Sequence, residues 1–140
     1  MKRPIEAIAC LACLALVLVC GCQMIGKGPS DEELIRNTLS DWAAAIKAQD
    51  IDKVMATYSE KSESSETPNK DSHRDLIEGY IDAGYMDESA MDIEQAQITI
   101  EDGKASVSEV GFTTIMGDFG LEFALQKEGG AWLITDFEYY

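Results

Sequence analysis

Two or three helices followed by an antiparallel meander, an α+β layer fold, is what this sequence predicts. Three patterns carry the prediction. Apolar residues recur every three or four positions from Ile35 to Ile46, and they alternate with polar ones between Ala96 and Leu125. Asp102-Gly103, Gly117-Asp118 and Glu128-Gly129-Gly130 punctuate the alternating part as turns.

Ser30-Asp31-Glu32-Glu33 reads as a capping box, a serine that accepts from the first free amides and a glutamate three residues on that reaches back. Behind it Ile35, Leu39, Trp42 and Ile46 form one apolar stripe of a helix that runs to about Ala48. Asp50 caps a short second helix carrying Val54, Met55 and Tyr58, with Asp52 in its first turn where the helix dipole favours a carboxylate. Ser59 to Ser72 is polar without periodicity and reads as a solvent loop. A third helix begins at Thr67-Pro68 or at Ser72, turns Leu76, Ile77, Tyr80 and Ile81 inward, and ends near Gly84.

Asp87 to Ala90 is a turn, and Met91 to Glu101 reads as the first strand, reversed at Asp102-Gly103 by a two-residue hairpin. Ala105 to Met116 is long for one strand, so Gly111 in its middle suggests a bulge or bend. After Gly117-Asp118, Leu121, Phe123 and Leu125 line one face of the next strand. Trp132 to Tyr139 closes the sheet. Trp132 and Ile134 point one way there and Leu133, Phe137 and Tyr139 the other, as in a strand covered on both faces.

A chain of 140 residues with 46% hydrophobic and 26% charged side chains has room for one compact domain with a real core. Its formal charge is −15, with 26 acidic residues against 11 basic ones, which argues against nucleic acid and against docking on anionic lipid. Cys10, Cys13, Cys20 and Cys22 all fall in the first 22 residues. The folded part is therefore expected to hold no disulfide and no thiolate metal site.

Lys2 and Arg3 precede an apolar run from Ala7 to Val19, too short for a comfortable membrane span of about 20 residues and the right length for a signal h-region. The run closes on Val19-Cys20-Gly21-Cys22, which resembles the lipobox of bacterial lipoproteins: an aliphatic residue, two small ones, then the cysteine that is lipidated. The resemblance implies a signal peptide over 1–21, cleavage before Cys22 and fatty acyl groups such as palmitate on that cysteine, anchoring the protein to a membrane of the cell envelope. Residues 22–29 are then the lipidated cysteine and a tether, and 30–140 the domain. Gln23 in second place leans towards the outer membrane by the same resemblance.

Helix one with Trp42, the break at Ala48-Gln49-Asp50-Ile51-Asp52, and the closing Gly129-Gly130-Ala131-Trp132-Leu133-Ile134-Thr135-Asp136-Phe137 together resemble the NTF2-like superfamily in its SnoaL-like branch. The likeness extends over about Asp31 to Tyr140. It implies a cone, about three N-terminal helices packed on a bent antiparallel sheet of about four strands, with a pocket at the wide end and a homodimer through the sheet. Gly111 is well placed for the bend.

The pocket expected on this basis is lined by Trp42, Met55, Tyr58, Tyr80, Tyr85, Phe112 and Trp132, with Met116 and Phe123 as further apolar wall. A small apolar ligand would meet the tyrosine hydroxyls there, although residues at these spacings are more often plain core. Asp136 and Glu138 lie two apart and share the face begun by Trp132 and Ile134. If that face lines a cone, a desolvated carboxylate could serve as a general base; if the strand emerges into water, it could not. His73, the only histidine, is expected exposed at the start of helix three with no partner but Asp71 and Asp75 nearby in sequence. Asp87, Glu88, Asp92 and Glu94 lack a glycine-centred calcium loop and read as a solvated rim. No phosphate loop, nucleophile elbow or zinc-helix motif is present, so no cofactor and no metal is expected. The function these residues suggest is a lipid-anchored, non-catalytic module that binds a small molecule or another protein. An acid/base enzyme is the alternative.

Overall fold

The computed structural model describes residues 28–64 and 66–140. Cys22 and the signal segment lie outside the described residues. Three helices, α1 (Asp31–Lys47), α2 (Ile51–Ala56) and α3 (Lys70–Asp82), precede five strands, β1 (Ala90–Asp92), β2 (Gln97–Glu101), β3 (Lys104–Thr114), β4 (Gly117–Glu128) and β5 (Ala131–Tyr139). The sheet is antiparallel throughout, in the order β1-β3-β4-β5, and β2 pairs with β3 on the same edge as β1. No helix among the described residues is long and apolar enough to cross a membrane.

Ser30 makes both bonds of the capping box, and α1 buries Ile35, Leu39, Trp42, Ala45 and Ile46 against the sheet. Asp50 caps α2 through Lys53 N–H. Neither expected start of helix three is used: Asn69 caps α3 by accepting from Ser72 N–H. An asparagine oxygen at that position satisfies an orphan amide as well as a serine does.

Three expectations about the strands change. The single strand from Met91 to Glu101 is two, because residues 93–96 turn away from the sheet, where Arg36 of α1 donates to the Ile93 carbonyl (2.7 Å) and to that of Ala96 (3.3 Å). The sheet therefore has five strands, not four. The bend of β3 lies not at Gly111 but before it: Val107 pairs with Phe123 and Val110 with Leu121, so one extra residue is accommodated, with Glu109 in the left-handed region at φ 57°. The reversal between β3 and β4 is made by Ile115 and Met116, just ahead of Gly117-Asp118.

A second bulge reverses the parity of β5. Ala124 pairs with Asp136 but Leu125 with Ile134, leaving Thr135 as the extra residue. Phe137 consequently stands opposite Phe123 and Tyr139 opposite Leu121, on the inner face with Trp132 and Ile134, while Glu138 faces outward opposite Glu122. The expectation that Phe137 and Tyr139 oppose Trp132, and that Asp136 and Glu138 share the face of Trp132, is corrected by this one inserted residue.

The polar segment after α2 is not a plain solvent loop either. Ile134 donates to the Thr57 carbonyl (2.8 Å), Ser59 N–H donates back to Ile134 (2.8 Å), and Glu63 N–H donates to Thr135 (3.1 Å). Ser59, Ser62 and Thr67 are buried as a result. An open edge of β5 needs partners for its backbone groups, and this segment supplies them. Beyond it, the Tyr140 ring lies across Gly120 so closely that any side chain at Gly120 would collide with it.

Candidate functional site

Between the second half of α1, α3, the turn after it and the bent sheet lies an apolar cavity of about 140 Å³. Trp42 and Ile46 come from α1, Ile77 and Tyr80 from α3, Phe112, Phe119 and Leu121 from β3 and β4, and Phe137 and Tyr139 from β5. Tyr85, Met86, Thr114 and Met116 complete its rim. Bending the sheet at Glu109 curls the ends of β3 and β4 over the helices, and the bulge at Thr135 turns Phe137 and Tyr139 inward. Both irregularities shape the cavity.

Of the residues expected to line a pocket, Trp42, Tyr80, Tyr85, Phe112 and Met116 do so. Met55, Tyr58, Phe123 and Trp132 do not; all four are buried in the core. Phe123 stands edge-on to Trp42 at 5.3 Å between ring centres, beneath the cavity wall. Trp132 is anchored towards the start of α1, where its indole N–H donates to Asp31 Oδ1 (3.0 Å), a carboxylate that Lys127 also reaches at 2.7 Å. These bonds from Lys127 and Trp132 hold the Asp31 carboxyl below its usual range. Nothing in the sequence distinguished Trp42 from Trp132 as cavity wall, since both sit on apolar faces. Ile46, Ile77, Met86, Thr114, Phe119, Leu121, Phe137 and Tyr139 were missed, and for the last two the hidden bulge is the reason.

Behind Phe137 is a polar cluster. His73, expected exposed, is 1% exposed: its ring lies 5.2 Å from that of Tyr58 and 6.2 Å from that of Phe137, and Thr67 Oγ1 is 3.0 Å from Nε2. Folding the segment before α3 over its first turn covers the imidazole, and that cover could not be read from a run of serines and glutamates. Burial lowers the His73 pKa, and the neighbouring Asp136 carboxylate partly restores it. Asp136 accepts from the Phe137 N–H at 2.9 Å. Its carboxyl is pushed up by burial and by Glu138, against the pull of the Phe137 amide, His73 and Ser64. Glu138 is exposed on the outer face.

Two polar atoms in this region have no hydrogen-bond partner: the Trp42 indole nitrogen and the Tyr58 hydroxyl. Burial drives the Tyr58 phenol well above its ordinary value; the Trp42 N–H, near its hydroxyl but not aligned for a hydrogen bond, pulls against that rise, and Asp136 adds to it. Tyr58→Phe removes a buried hydroxyl that bonds to nothing, so unfolding free energy is expected to hold steady or rise by up to about 1 kcal/mol. Urea unfolding measures it, and a comparable loss would show that the hydroxyl is partnered after all. Chemically, His73, Asp136 and Tyr58 could exchange a proton with a bound molecule, but none of the three lines the cavity, and Phe137 stands between.

No protein-family model matches this sequence, and no curated protein sequence matches it. Solved structures do. An NTF2-like protein of unknown function from Pseudomonas putida KT2440 superposes with a TM-score of 0.66 at 13% identity, covering 81% of this chain and 88% of that one. The fold is NTF2-like. An NTF2-like protein of unknown function from Shewanella baltica OS155 gives 0.59 at 17% identity, over 81% and 98% of the two chains. A protein from Novosphingobium aromaticivorans DSM 12444, provisionally named a scytalone dehydratase, gives 0.59 at 17% identity over 77% and 81%. At such identities the NTF2-like cone is what is shared, with its helices on one face of a mixed-length antiparallel sheet.

Proposed function

We propose that this protein is a lipid-anchored envelope module whose NTF2-like cone binds a small, mainly apolar molecule without transforming it. The observation that carries the binding reading is the cavity itself. At about 140 Å³ and walled by Trp42, Ile77, Phe112, Leu121 and Phe137, it is of the size at which apolar cavities stay dry and take up a benzene-sized guest. Binding is tested with phenylpropanol, a neutral single-ring probe. At ten times its dissociation constant such a ligand adds about 1.4 kcal/mol to stability, so the melting temperature of the wild type rises. Thr114→Trp, which fills the rim from a half-buried position, is expected to remove the rise; an equal rise in that variant would place the probe elsewhere.

The anchor rests on Val19-Cys20-Gly21-Cys22 following an apolar run. Cys22→Ala is expected to abolish acyl labelling and to leave the precursor unprocessed. Normal processing and membrane retention of that variant would sink the assignment.

Two observations favour a second reading, acid/base catalysis: His73, Asp136 and Tyr58 converge, and a neighbour in fold carries a dehydratase name. Catalysis needs those groups to touch the substrate, and the Phe137 wall speaks against it. Turnover of any bound compound that disappears in Asp136→Asn would decide for the enzyme.

A further inference from the structure

The mouth of the cavity is chemically one-sided. Tyr80, Tyr85 and Tyr139 all contribute to the lining, and Tyr85 and Tyr139 are 39% and 56% exposed, so their rings stand where the cavity meets water. Tyr80 and Tyr85 lie 6.3 Å apart between ring centres, tilted by 42°. Aromatic faces are the negative side of the ring quadrupole and attract cations, quaternary ammonium groups above all.

The charges around them have the same sign. Segments 77–90, 112–121 and 137–140, which form the mouth, contain no lysine or arginine; of their carboxylates Asp118 and Glu138 lie on the outer face of the sheet, while Glu78 (near Arg74), Asp82, Asp87 and Glu88 belong to α3 and the turn after it. In α1, which supplies the remaining wall, the base closest in sequence to a lining residue is Lys47, exposed in the last turn. None of the five ion pairs among the described residues uses a carboxylate of the mouth. Asp87, two residues from the lining Tyr85, accepts only from a neutral donor, Gln49 Nε2 (2.6 Å). Its charge has no ion-pair partner.

We infer that the ligand class of this cavity is a lipophilic ammonium compound, its apolar body among Trp42, Ile77 and Phe112 and its cationic head at Tyr80, Tyr85 and Tyr139. The inference rests on the binding reading above and adds the charge of the ligand to it. An anion with the same apolar body is repelled by the rim, and a neutral molecule gains neither the aromatic faces nor the field.

Three probes with one body separate these cases: phenylpropyl-trimethylammonium, phenylpropanol and phenylbutanoate, titrated calorimetrically into the full protein at low and high salt. The cation is expected to bind about tenfold more tightly than the alcohol at low salt, the carboxylate weakest, with the lead shrinking as salt screens the rim. Asp87→Asn with Glu88→Gln should cut the salt-sensitive part of that lead, and Tyr85→Ala the salt-insensitive part, while phenylpropanol affinity changes little in the double carboxylate variant. If alcohol and cation bind equally, or the carboxylate binds best, the inference is overturned while the cavity remains a binding site. If none of the three binds, the binding reading itself falls, and the ligand class with it.

Discussion

Trp42→Ala is expected to lower the unfolding free energy by about 3–5 kcal/mol, the range seen when a large buried aromatic is cut back to a methyl group. Trp42 is 3% exposed and is the hub of the aromatic core, with ring centres 5.8 Å from Phe112, 5.3 Å from Phe123 and 6.2 Å from Phe137. The truncation merges the space of the indole with the neighbouring cavity, so the surroundings cannot close over it. Urea denaturation gives the number. A cost below about 1 kcal/mol would mean that the helix and sheet do not meet at this ring. The same variant enlarges the cavity, and phenylpropanol should recover part of the lost stability by occupying it, as ligands that bind only the folded state do.

His73→Ala is expected to cost about 2–4 kcal/mol, from the void left beneath Tyr58 and Phe137 and from the lost hydrogen bond to the Thr67 hydroxyl, which keeps Ser64 Oγ at 2.7 Å. A pH series distinguishes the role of the ring. Burial holds the folded His73 pKa below its ordinary 6.5, so as pH falls through 6.5 the unfolded chain takes up a proton that the folded one refuses, and stability declines. Asp136 acts in the opposite sense. Its carboxyl is raised above 3.8, so as pH falls through the folded value the folded chain takes up its proton first and stability is regained. Wild type should therefore lose stability just below pH 6.5 and recover part of the loss on further acidification. In His73→Gln the first decline should vanish. Equal slopes in the two proteins near pH 6 would contradict a buried, neutral imidazole.

Much of this architecture is legible from residues alone where local rules dominate. The Ser30 capping box, the Asp50 cap, the stripe from Ile35 to Ile46 and the Asp102-Gly103 reversal depend on interactions a few residues apart, and each is found where the pattern put it. What failed was non-local. A bulge is one residue that does not pair, and neither Glu109 nor Thr135 is a residue type that advertises one. Missing Thr135 inverted the facing of every later side chain in β5, which removed Phe137 and Tyr139 from the site and put Glu138 wrongly among its candidates. The burial of His73 was hidden for a different reason. Its cover is a polar segment whose own burial follows from the unsatisfied edge of β5, a demand set by topology and not by composition. Asp136 was singled out for a sound chemical reason, desolvation on an inner face, but reaches its partly buried position beside the bulge and not through the alternation that suggested it.

The proposed function requires that a molecule bind in the cavity beside Trp42. The two tryptophans allow a direct reading, because the Trp132 indole N–H is engaged by Asp31 while the Trp42 ring forms part of the cavity wall. Nitrogen-15 NMR resolves the two indole signals, assigned with Trp132→Phe, during titration with phenylpropanol. The Trp42 signal is expected to shift saturably while that of Trp132 holds still. Two indole signals that stay fixed, or that drift together without saturating, would contradict a binding site in the cone.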